Sequence, residues 1–198
     1  DYNALIKELN GYTHAAANDY EPLTDAQKKE MSEDEIEKWE KKAKEDLLRN
    51  DRDISNFLNS MRTAIYSKAG ANGNTLAQFG INSSSEWKDY GKLEINEEEL
   101  KNAINTAPDL VTELFTGENG LATKLNTICK NTANVSSANP GTLVKLAGVE
   151  GKASEKNNTI QTRLDSIKDK LESLKQVYEQ RKARFWKQFN AMETALGN

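Results

Sequence analysis

The chain has 198 residues, 36% of them apolar and 29% charged, with a formal net charge of -4. With a mean hydropathy of -0.80 this suits one modest or elongated domain with a thin core and solvated helices. Phosphate binding relies on clustered Lys and Arg, and at a pI near 5.3 neither sign of charge dominates enough to predict a nucleic-acid partner; no apolar run approaches the ~20 residues that span a bilayer.

Tyr2, Leu5, Ile6, Leu9 and Tyr12 form a helical stripe that ends near Gly11 to His14. Beyond Pro22, Thr24 with Gln27 and Ser32 with Glu35 have the spacing of two capping boxes, which predicts a short helix, a kink and a second helix. The second carries Ile36, Trp39, Ala43 and Leu47 on one face. Asn50 or Asp51 opens a third, with Ile54, Phe57, Leu58, Met61, Ala64 and Ile65 inward. Residues 76–95 hold an apolar island, LAQFGI, and an alternating GKLEI, which together predict a small β element. Asn96 then opens a helix, Pro108 restarts it, and Gly117 stops it. Leu121, Leu125 and Ile128 give a further short helix, and 131–158 reads as a loop with an apolar anchor at TLVKLAG.

Residues 159–198 differ in kind. Ile160, Leu164, Ile167, Leu171, Leu174 and Tyr178 alternate spacings of four and three, the seam of a coiled coil. The seam weakens at Arg181 and resumes at Phe185, Phe189, Met192 and Leu196 with a phase shift of the stutter type. An unbroken helix here measures ~57 Å at 1.5 Å per residue. The other short helices are too few to cover such a seam. Leu164, Leu171, Tyr178, Phe185, Trp186, Phe189 and Met192 are therefore candidate coiled-coil or assembly contacts. The fold expected is mainly α: an elongated helical bundle (1–130) with a small β element, a loop (131–158), and a long C-terminal coiled-coil helix (159–198).

Reactive groups are sparse. With His14 the single histidine and Cys129 the single cysteine, two-His metal centres, Cys-rich zinc sites and internal disulfides have no residues to form them. No glycine-rich phosphate loop is present, and the acidic runs SEDEIE and NEEEL sit where first-turn acids favour a helix dipole. No catalytic, cofactor or metal site is expected.

Three stretches, YEPLTDAQKKEMSEDEIEKWEKKAKEDLLRND at 20–51, GKLEINEEELKNAINTAPDLVTELFTG at 91–117 and FWKQFNAMETAL at 185–196, resemble the C-terminal region of a known family. It is the bacterial flagellar filament capping family, also called flagellar hook-associated protein 2, in its Firmicutes versions. The resemblance implies a structural protein, exported through the flagellar channel, that forms a ring-like homo-oligomer on the distal tip of the filament and promotes flagellin insertion. It also implies that the chain is a piece of a longer protein, lacking β-rich outer domains and an N-terminal segment that pairs with the C-terminal helix. Residues 130–158 match only loosely, and the family continues past the equivalent of Asn198 with a further apolar tail. The periodicity alone equally suits a generic coiled-coil scaffold, and a filament-tip protein suits an extracellular adhesin.

Overall fold

The computed structural model describes residues 2–197, which are mainly helical and divide into two compact units, the second beginning at Thr132. In the first unit α1 (Tyr2–Thr13) packs on α4 (Arg52–Tyr66). Asp51 Oδ1 accepts the Ile54 amide at 2.8 Å and so starts α4, whose six predicted inward residues, Ile54, Phe57, Leu58, Met61, Ala64 and Ile65, are all buried. Ile6, Ile54 and Leu58 form one cluster with Tyr2, Leu9 and Tyr90 against it.

A larger cluster joins Ile65, Ala69, Leu76, Phe79, Ile81, Leu114 and Leu121. It links α4 to a two-stranded sheet and to α5 (Glu97–Thr106), α6 (Pro108–Phe115) and α7 (Leu121–Ala133). The predicted β element is β1 (Ile81–Ser83) antiparallel to β2 (Leu93–Ile95), with Ile81 opposite Ile95 and Ser83 opposite Leu93. Asn3 serves the free side of β2 as a third strand would: its Nδ2 donates to Leu93 O at 2.9 Å, and its Oδ1 accepts from Leu93 N at 2.8 Å. At Gly80, φ +76, a Cβ would lie 2.6 Å from Glu99 Cβ, so the turn from the LAQF segment into β1 requires glycine. Asn96 Oδ1 accepts from the Glu98 and Glu99 amides and opens α5 as predicted. Lys124 on α7 donates to Ser67 Oγ and Lys68 O, closing the C-terminal end of α4.

Between α1 and α4 the chain leaves this core as an arm. Its base is shut by a hydrogen bond from Asn50 N to Thr13 O at 2.9 Å. Inside the arm stand α2 (Asp25–Lys29) and α3 (Glu33–Glu45). Thr24 and Gln27 make the reciprocal capping box, and Glu35 accepts from both the amide and the hydroxyl of Ser32. Trp39 is edge-on to Tyr20, with ring centroids 4.9 Å apart, and donates its indole N–H to Glu21 O. Asn18 donates to Lys42 O and Asp46 Oδ2, and Lys28 pairs with Glu40. Leu47, expected on the apolar face of α3, lies past the helix end and is 72% exposed, because α3 finishes at Glu45 and the chain turns back toward Asn50.

The second unit begins within α7 and contains α8 (Thr142–Ala147) and α9 (Thr159–Leu196). The expected apolar anchor at TLVKLAG is α8, a short helix inside what reads as loop in the sequence. Val144 is buried and α8 packs on the first turns of α9.

Candidate assembly interface

The base of α9 is a compact hydrogen-bonded knot. Asn158, itself 7% exposed, accepts the Gln161 amide on Oδ1 at 2.8 Å and donates from Nδ2 to Ser154 O and Glu155 O. One side chain therefore caps the helix and ties down the turn before it. Gly148, φ +76, approaches so closely that a Cβ would stand 2.3 Å from Ser154 O. Thr159 Oγ1 donates to Lys145 O, joining α9 to α8.

From this base α9 runs 38 residues without a break, and none of its described residues is buried. Three-residue and four-residue spacing returns side chains to one face of a helix, so the seam predicted from the sequence is an apolar strip interrupted at Arg181. The structure places all seven candidate contacts on it or beside it. Leu164, Leu171, Tyr178, Phe185, Trp186, Phe189 and Met192 are between 47% and 63% exposed. Near the stutter the strip widens into an open groove of about 520 Å³ lined by Tyr178, Arg181, Lys182, Phe185, Trp186 and Phe189. Trp186 meets Phe189 edge to face with centroids 6.1 Å apart, and the Arg184 guanidinium lies 5.7 Å from the centre of the Phe185 ring. Such a surface binds by desolvation: covering each large side chain contributes roughly 1.5–3 kcal/mol.

The two residues with the most reactive side chains lie elsewhere. His14 follows α1 and its ring stands 4.5 Å from that of Tyr90, while Cys129 is a half-buried free thiol on α7. Among the described residues no group of three or more His, Cys, Asp or Glu side chains is placed to hold a metal ion. No helix of the described chain is long and apolar enough to cross a membrane.

Fold and surface together define a mainly helical protein with a long, exposed helix that carries an apolar seam. The chain belongs to the flagellar hook-associated protein 2 C-terminus family, whose profile matches residues 1–198. A flagellar hook-associated protein 2 of Halalkalibacterium halodurans is 31% identical over 222 residues, covering 98% of this chain and 40% of that protein. A second, from Thermotoga maritima, is 27% identical over 181 residues, covering 89% of this chain and 27% of that protein. The chain thus spans less than half the length of the curated relatives it matches. No solved structure matches it significantly.

Proposed function

We propose that this chain is the C-terminal region of a filament cap, which stands outside the cell at the distal end of the bacterial flagellum and promotes flagellin polymerisation. One observation supports this reading beyond family membership: the 38-residue α9 carries its apolar seam uncovered from Ile160 to Leu196. In this reading 1–130 is the body near the filament, 131–158 a connection that carries α8, and 159–198 the leg. Leu164, Leu171, Tyr178, Phe185, Trp186, Phe189 and Met192 are the contacts of the leg. The partner of that seam is the N-terminal segment of the parent protein; the whole protein assembles with its own copies into a ring, and flagellin is the cargo. The stutter suits a cap that must grip and also step, since an interrupted heptad adheres without locking one register. No catalysis, cofactor or nucleic acid enters this mechanism.

The test is complementation of cap-deficient cells with the full-length parent gene, comparing flagellin assembled on cells with flagellin lost to the medium. The reading expects assembly to be restored, and lost again with Phe185→Ala plus Phe189→Ala in a protein that is still exported. Flagellin that continues to leak past an exported, folded parent protein overturns it.

A further inference from the structure

The seam of α9 has rims, and they carry one sign. With Leu164, Leu171, Tyr178 and Phe185 as the a positions and Ile160, Ile167, Leu174 and Arg181 as d, the flanking e positions are Gln161, Lys168, Lys175 and Lys182. The flanking g positions are Arg163, Lys170, Val177 and Arg184. Six of these eight rim residues are basic and none is acidic. The acids of the same stretch, Asp165, Asp169, Glu172 and Glu179, all fall at the outer b and f positions. Arg181 adds a positive charge to the seam itself. Asp165 and Glu179 approach Lys168 and Lys182 at 3.9 and 3.7 Å, but pairs this exposed are weak and leave the rims positive.

Rim charge decides which helix can lie along a seam. In a parallel pair g faces e of the partner, and in an antiparallel pair g faces g and e faces e. Two copies of α9 place Lys or Arg against Lys or Arg in either arrangement. Resting on the assembly reading above, we propose that the helix which covers α9 is acidic at its own rim positions, presents a carboxylate to Arg181, and is not a second α9. Homotypic contact in the assembled ring then falls to other surfaces. The basic rims act as a selector: they reject a second leg and admit the acidic mate.

Two synthetic helices test this, each of four heptads with Ile at a and Leu at d, one with Glu and the other with Lys at every e and g. Each is titrated against the chain by fluorescence anisotropy, with phosphatidylglycerol vesicles as a third probe. The acidic helix binds at least about tenfold more tightly than the basic one, and the gap closes as salt rises. Lys170→Glu with Lys175→Glu, both at exposed positions and so harmless to the fold, lowers the net rim charge from six to two and narrows the preference. Sedimentation finds no α9-mediated dimer. Equal binding of both helices, or a dimer abolished by Leu171→Ala, overturns the proposal and leaves the assembly reading standing. Binding of neither helix, with or without vesicle binding, overturns both.

Discussion

Asn158 concentrates more structural consequence than any other polar residue of the second unit. Its amide group caps α9 and holds the preceding turn, so Asn158→Ala removes an acceptor and a donor that together make three hydrogen bonds. A loss of about 1–2 kcal/mol is expected from the cap alone, read as faster amide exchange in the first turns of α9 while Met192 and its neighbours are unchanged. Asn158→Asp does not restore the site, because a carboxylate keeps the cap and loses the two donations. Gly148→Ala meets both a left-handed φ and the Ser154 carbonyl, and is expected to cost more than about 1 kcal/mol, the ordinary penalty for Cβ at such a φ. In the first unit Leu58→Ala opens a cavity under α1 and should cost about 2–5 kcal/mol in thermal or urea unfolding.

At the scale of elements, the α2–α3 arm is held by hydrogen bonds and ion pairs more than by burial, since neither helix has a buried residue. Its stability should therefore follow pH. The Ser32 amide, and then its hydroxyl, hold the Glu35 carboxyl below its ordinary 4.5, and Lys28 does the same to Glu40. Folding lowers both values, so their contribution is present above 4.5 and is lost as pH falls through the lowered values. Glu40 raises Lys28 above 10.5, so that contribution is present below 10.5 and is lost as pH climbs past the raised value. The expected outcome is an arm that loosens at both extremes before the core melts, seen as loss of the protected Trp39 indole N–H signal. Most of these elements are legible in the sequence, because their signals are local: the capping boxes, the α4 stripe, Asn96 and Pro108 each act within a turn or two. Leu47 and α8 escape such a reading for a common reason. Where α3 stops is set by the return to Asn50, and the six residues of α8 become a helix by packing on α9, neither of which any short window of sequence contains.

At the scale of the whole molecule, each unit is built around its own contacts. Both clusters of the first unit lie within residues 1–131, so that segment alone should keep a cooperative thermal transition by circular dichroism. The seam of α9 is legible residue by residue, but its lack of cover is not, since exposure depends on what the rest of the chain leaves free. Asn3 clamping β2 from 90 residues away is equally invisible, a contact made by topology alone. The three tryptophans fall one to a region: Trp39 in the arm, Trp87 in the connection between β1 and β2, and Trp186 beside the seam. Their settings differ, Trp39 being partly covered while Trp87 and Trp186 are 75% and 59% exposed. Variants that keep one indole at a time would thus turn the native chain into three separate emission probes. A blue shift confined to Trp186 would mark the moment the leg finds its mate, with no label attached.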